Sequence, residues 1–192
     1  WIISHSKTNN SEESFYRFQN LVPPKGVSWA DPFPVYYDNE LWLFAEEIIG
    51  KGLGKIVCFK YSNEEKRFGS PQTVIQESFH LSYPFVFQYE NAWYMMPETG
   101  DSSNVILYKS ESFPYKWTKE KTVVENKKLY DATPFEHNGQ WYCFASERSK
   151  ATLTPNDLLQ LYILKDGPLG SWKEHPVSPI KIDVRGGRSA GK

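Results

Sequence analysis

The chain has 192 residues and a mass of 22.3 kDa, enough for one or two domains and for burying roughly 70% of the unfolded surface. Twenty-two Lys and Arg against 23 Asp and Glu leave a net charge of −1. That excludes a bulk polyanion binder, and with it a nucleic-acid partner, because such domains carry a clear basic excess.

Hydrophobic residues at 40% and charged residues at 23% describe a globular chain rather than a disordered one. The opening WIISHSKTNN lacks the basic end and apolar run of a signal peptide. No apolar stretch approaches the ~20 residues that cross a bilayer, so no membrane span is expected. In chain order, the runs VYYDNELWLFAEE, GKIVCFKYS, YPFVFQYENAWYMMPE, NVILYKSES, GQWYCFASE and LLQLYILKD read as strands. Each is rich in Val, Ile, Tyr, Phe and Trp and is bounded by Gly, Pro, Asn or Asp. TPNDLLQLY opens like a helical turn at Thr154-Pro155 but flows into LQLYILK, which reads as strand. The protein is therefore nearly all β. GKGLGK is Gly-rich but joins two strands with no helix to follow, so it is a hairpin loop rather than a phosphate cradle. Cys58 and Cys143 sit in apolar strand runs with no zinc spacing and no disulfide framework. As free thiols they favour a reducing compartment, with the cytoplasm favoured, or a fold that does not depend on disulfides.

The chain repeats itself. Pro32-Phe33, Pro84-Phe85 and Pro134-Phe135 recur at intervals of 52 and 50 residues. Each is followed by a short strand, a polar turn and an aromatic strand anchored by Trp42, Trp93 or Trp141, so these Trp residues are expected at equivalent, largely buried positions. Each aromatic strand ends in an acid, Glu47, Glu98 or Glu147. A loop, a third strand and a more polar closing stretch complete the unit. Four short antiparallel strands in ~50 residues make one propeller blade; the alternative is a β-sandwich of irregular hairpins. The blades span about 29–76, 80–126 and 130–178, and a fourth opens at 183–192. Residues 1–28 form an N-terminal segment that could supply strands of a closing blade, and 29–192 form a partial propeller. Propellers close with about four or more blades, so the chain is expected to be part of a longer propeller, completed by further residues or by oligomerisation.

In a propeller the starts of the innermost strands converge in one funnel. Here those stretches read Trp29-Ala30-Asp31-Pro32, His80-Leu81-Ser82-Tyr83-Pro84, Tyr130-Asp131-Ala132-Thr133-Pro134 and Asp183-Val184-Arg185 with Arg188 close behind. Counting from Pro-Phe puts Thr133 and Tyr83 in the register of Asp31 and leaves Asp131 out of it. The second strands return toward the same face, so Glu47, Glu98 and Glu147 could reach the funnel, or pair with Arg148, Arg185 or Arg188. Glu98 sits on a Pro turn beside an apolar strand, a setting that raises a carboxyl pKa. Acids, a His, a Tyr and Arg residues on one face suit a polyhydroxylated ligand or acid–base chemistry. The His and Cys residues give no metal constellation, and no cofactor is implied.

The segments WADPFPVYYDNELWLFAEE, FHLSYPFVFQYENAWYMMPETG, SFPYKW and YDATPFEHNGQWYCFAS, followed by DVRGGRSAG, resemble a family of glycosidase-like five-bladed propellers. That family includes the N-terminal domain of plant glucosamine inositolphosphorylceramide transferases, and related bacterial domains sit in saccharide-assembly proteins. The pattern is more distantly similar to the arabinanase, levansucrase and invertase propellers, including family 43 glycoside hydrolases. The resemblance implies a saccharide or glycoconjugate as partner and an associated or fused transferase domain. By the same resemblance Asp31 would be base or nucleophile, Glu98 the acid and Asp131 the residue that tunes the pKa. Trp29, Glu47, His80, Tyr83, Thr133, Glu147, Arg185 and Arg188 would bind substrate hydroxyls or anionic sugar groups. Blade two has Tyr83 where those hydrolases would carry a second acid. Two functions therefore stand open: a glycosidase-like enzyme, or a non-catalytic carbohydrate-binding or docking module of a transferase.

Overall fold

The structure is a computed structural model that describes residues 2–6, 18–148, 154 and 157–188. Its strands form three consecutive antiparallel sheets and one small hairpin. The first sheet runs β3 (Val27–Tyr37), β4 (Glu40–Ile49) and β5 (Lys55–Ser62), with β6 (Arg67–Phe68) and β7 (Gln72–Ile75) both on the far edge of β5. The second runs β8 (Ser82–Tyr89), β9 (Ala92–Glu98), β10 (Val105–Ser112) and β11 (Lys116–Val124). The third runs β12 (Leu129–His137), β13 (Gln140–Glu147), β14 (Leu158–Lys165) and β15 (Ser171–Glu174), with β16 (Lys181–Ile182) at the other end of β14. Leu158–Lys165 is strand, not helix. A separate pair, β1 (Ile3–His5) and β2 (Gln19–Leu21), lies against the first sheet, where Ile3 and Leu21 join its apolar face. Each blade follows the chain outward from the axis, as meander strands joined by short turns must. Among the described residues no helix is long and apolar enough to cross a membrane.

The inner strands β3, β8 and β12 are edge strands, paired on one side only. That is why the sequence can carry Pro32, Pro34, Pro84 and Pro134 there. A proline has no N–H to give a ladder, and at an edge it blocks stray pairing. The core lies between blades rather than within them. Val35, Trp42, Phe44, Ile56, Cys58, Val86, Met95 and Ile106 fill the space between the first and second sheets. Tyr83, Phe85, Phe87, Met96, Leu107, Leu129, Cys143 and Tyr162 fill that between the second and third. Phe33 touches both clusters, and its ring lies 5.1 Å from that of Phe85. Both thiols are free and buried, and burial pushes Cys58 up to about 12, so it packs as an inert apolar group.

The equivalence expected of the three tryptophans holds for two. Trp93 faces Gln88 and Trp141 faces Glu136, each next to its hairpin turn. Trp42 pairs with Val35, one residue farther from its turn, so the alternation of strand side chains sends it to the opposite face. It is buried between blades, edge-on to Tyr115 at 5.5 Å, whereas Trp93 and Trp141 stay half-buried.

Phe85 is 1% exposed between two blade interfaces. Phe85→Ala should cost about 3–5 kcal/mol of folding free energy, read as a lower urea midpoint with an unchanged slope. A loss under about 1 kcal/mol would mean that the blades do not depend on this interface.

Candidate functional site

Each inner strand breaks its ladder at one place. The pairing slips between Ala30 and Phe33, between Ser82 and Phe85, and between Tyr130 and Thr133. In each bulge the first extra residue is left-handed: Asp31 at φ 50°, Tyr83 at φ 44° and Asp131 at φ 51°. A bulge of this kind turns one side chain out of the pleat. Asp adopts the left-handed region readily, but for a ring as bulky as Tyr it is an outlier that the surroundings must hold. Asp31, Tyr83 and Asp131 stand at the same distance from the hairpin residues Tyr37, Tyr89 and His137. They are therefore equivalent, and the register counted from Pro-Phe is corrected. Pro134-Phe135 aligns with Pro34-Val35, while Thr133 aligns with Phe33 and Phe85. Two acids, not one, occupy the shared position.

The acids at the ends of the second strands also regroup. Glu46 faces Ala30, Glu98 faces Ser82 and Ser146 faces Tyr130, so these three are equivalent. Glu47 and Glu147 stand one residue farther, opposite Trp29 and Leu129. The shift reverses their face. Glu47 accepts from the Trp29 indole at 2.8 Å and pairs with Lys55 at 3.1 Å, and Trp29 is buried edge-on to Phe59. Glu147 accepts from Gln160 at 2.8 Å and pairs with Lys127 at 3.0 Å. Trp29, Glu47 and Glu147 thus belong to the blade walls and do not line the axial cleft. Arg185 is exposed and forks onto Asp183 at 2.7 Å and 3.0 Å, away from the acids.

At the axis the groups interlock. The Tyr83 N–H donates to Asp31 Oδ2 at 3.1 Å. Thr133 Oγ1 gives its proton to the Asp131 carbonyl at 3.0 Å, so the Tyr83 hydroxyl donates to Thr133 at 2.7 Å. Burial pushes the Tyr83 phenol up to about 12, which keeps it a donor. Arg188 donates from Nε to Asp131 Oδ2, and from Nη2 to Asp131 Oδ1 at 3.1 Å and Glu98 Oε2 at 3.0 Å. Glu98 is 8% exposed and Asp131 is 6% exposed. Burial first, and the neighbouring Asp131 carboxylate second, hold the Glu98 carboxyl well above the usual carboxylate range; Arg188 opposes them. Desolvation likewise raises Asp31. His80 accepts the Gly54 N–H on Nδ1 at 3.0 Å, so its proton sits on Nε2 and points at Glu46 Oε1, 2.9 Å away. That bond raises the His80 pKa. Only glycine fits at position 54, where a Cβ would lie 2.4 Å from the Leu81 carbonyl oxygen and 2.7 Å from Glu46 Oε1.

From the bulges toward the hairpins the inner strands frame a cleft of about 930 Å³. Asp31, Tyr83 and Asp131 line it together with the aromatic faces of Tyr36, Trp93, Phe135 and Trp141. Glu98 and His80 stand beyond its lining. Sequence reasoning missed Glu46, Ser146 and the cleft role of Trp93 and Trp141. Counting registers from the hairpin turns instead of from Pro-Phe would have found them. Among the described residues no group of three or more His, Cys, Asp or Glu is arranged to hold a metal ion.

Blades radiating from an acid-lined axis define a sector of a β-propeller. A family 117 glycoside hydrolase of Zobellia galactanivorans superposes with a TM-score of 0.63 at 15% identity, over 82% of this chain and 58% of that one. A GH43 protein of Bacteroides ovatus does so with a TM-score of 0.60 at 13% identity, over 82% and 30%. Residues 22–192 match the family of the N-terminal region of glucosamine inositolphosphorylceramide transferase 1, and the chain belongs to that family. Relatives of that name are 34% identical in Oryza sativa subsp. japonica and 32% identical in Arabidopsis thaliana, each over 166 residues and 85% of this chain. The chain spans 22% and 21% of their lengths.

A glutamate whose pKa the folded state raises to about 8 makes that state bind more protons than the unfolded chain between about pH 4.3 and that value. The unfolding free energy should therefore fall as pH rises across that range, and fall less in Glu98→Gln. Chemical denaturation across pH 4–9 reads the slope; equal slopes for the two proteins would contradict the protonated assignment.

Proposed function

We propose that the axial cleft receives the saccharide part of a glycoconjugate, and that the domain is the saccharide-recognising portion of a larger transferase in glycolipid assembly. The observation that carries this reading is the meeting of two carboxyl groups, Asp31 and Asp131, with Trp93 and Trp141 in the lining of one cleft. Carboxylates orient sugar hydroxyls by charged hydrogen bonds, and aromatic faces take the apolar side of a pyranose ring. Membership of the glucosamine inositolphosphorylceramide transferase family supports the same ligand class. Calorimetric titration with inositol glycosides and short oligosaccharides tests it. Asp31→Asn can still accept the Tyr83 N–H and should fold, but it loses one charged hydrogen bond, about 1.5–3 kcal/mol, or roughly 10- to 150-fold in affinity. Trp141→Ala should also weaken binding. Saccharide affinity unchanged in both variants would remove the cleft from this role.

A second reading is favoured by the raised pKa of Glu98, whose carboxyl is held above the usual range by burial and by the nearby Asp131. Asp31 would then be base or nucleophile, Glu98 the general acid and Asp131 its modulator. In this reading Asp31→Asn lowers turnover by the full-length protein by at least ~10²-fold. Intact turnover would take Asp31 out of the chemistry. Saccharide binding without turnover in the wild-type full-length protein would leave the recognition role alone.

A further inference from the structure

Ser146 is the odd member of its register. Blade one places Glu46 there and blade two Glu98, and both are acids that reach toward the next blade: Glu46 to His80, Glu98 to the guanidinium that also holds Asp131. Blade three places a serine, 0% exposed, whose hydroxyl donates to the Gly187 carbonyl at 2.8 Å. The next residue is Arg188, whose guanidinium bridges Asp131 and Glu98 and lies over the Tyr130 ring at 5.7 Å. Gly187 has no side chain of its own with which to fix its peptide. An acid in place of Ser146 would meet that carbonyl oxygen with a second acceptor, whereas a hydroxyl supplies the donor it needs.

We propose that Ser146 is a positioning residue: by holding the Gly187 carbonyl it presents Arg188 to Asp131 and Glu98, so that the charge state of the axial carboxylate pair is set from blade three. Arg188 thereby serves the acids of the site, and not an anionic sugar group as the sequence alone suggested. The groups that face Glu98 are Asp131 from β12, Arg188 from residues 183–188 and His80 from the turn before β8. Asp31 from β3 feels Glu46, Asp131 and Arg188, and His80 feels Glu46, Glu98 and Asp101. Of these, Arg188 is the cation in direct hydrogen-bond contact with both Glu98 and Asp131. Its displacement removes a cation that favours the Glu98 carboxylate and moves the titration of Glu98 upward.

The test uses the 192-residue protein without ligand, so its outcome is separable from the question of what the cleft binds. The side-chain carboxyl of Glu98 is followed by carbon-detected NMR against pH in wild type, Ser146→Ala, Arg188→Gln and the double variant. Arg188→Gln should raise the Glu98 midpoint by about 1–3 pH units, the effect of losing an adjacent opposite charge. Ser146→Ala should raise it in the same direction by a smaller amount. In the Arg188→Gln background Ser146→Ala should add nothing, because its effect passes through the guanidinium. A hydroxyl that merely packs the sheet would lower thermal stability in both backgrounds and leave the midpoint where it was. That result, or a shift that persists without Arg188, would overturn the proposal. Ser146→Thr, which retains the donor, should keep the wild-type midpoint if the protein folds; a midpoint displaced as far as in Ser146→Ala would also overturn it.

Discussion

The site depends on a bulge repeated at the same register of three inner strands. An edge strand that kept its pleat would point alternate side chains into the blade interfaces, and its carboxylates would be buried unpaired. One extra residue in a left-handed conformation lets Asp31, Tyr83 and Asp131 leave the pleat while Phe33 and Phe85 return to the core. The cost of a left-handed tyrosine is offset locally, since Tyr83 is held by its N–H on Asp31 and its hydroxyl on Thr133. The same bonds join blade one to blade two and blade two to blade three, so the geometry of the cleft and the order of the blades are fixed together.

Charge is handled in two ways in this small sector. Glu47 and Glu147 are each matched to a lysine at the blade walls. At the axis, Asp31, Glu46, Glu98 and Asp131 approach one another with Arg188 and His80 as their nearest bases. Burial raises the carboxyl pKa of two of them, Asp31 and Glu98. Arg188 bears on three of them at once, Asp131, Glu98 and Asp31, so the position of that one guanidinium matters to the whole group.

Much of this was legible in the residues. The Pro-Phe and Trp spacings carry the propeller, because strands that bury one pattern of side chains against their neighbours must repeat it in every blade. Asp31, Tyr83, Asp131 and Glu98 drew attention in the sequence because they flank that repeat, and the structure brings them near the axis. The register within each blade was misread because it was counted from Pro-Phe rather than from the hairpin turns. Pro134-Phe135 mimics Pro32-Phe33 in composition yet sits at the place of Pro34-Val35, and Glu46-Glu47 offers two adjacent acids on opposite faces. A slip of one residue inverts the face of a strand, and sequence composition does not register a bulge.

The sequence by itself determined the fold class, the repeat and the types of group available at the axis, since these follow from periodicity and composition. The tertiary structure alone decided which acids meet. Glu98, Asp131 and Arg188 are far apart in the chain, and their contact exists only because successive blades turn about one axis and the backbone bulges where it does. It also decided that Trp29 and Glu47 bond to each other within blade one, and that Glu147 bonds to Gln160 within blade three and to Lys127. The side chains of Trp29, Glu47 and Glu147 leave the sheet on the face away from the cleft, and that direction depends on the parity of the strand pairing rather than on the kind of residue.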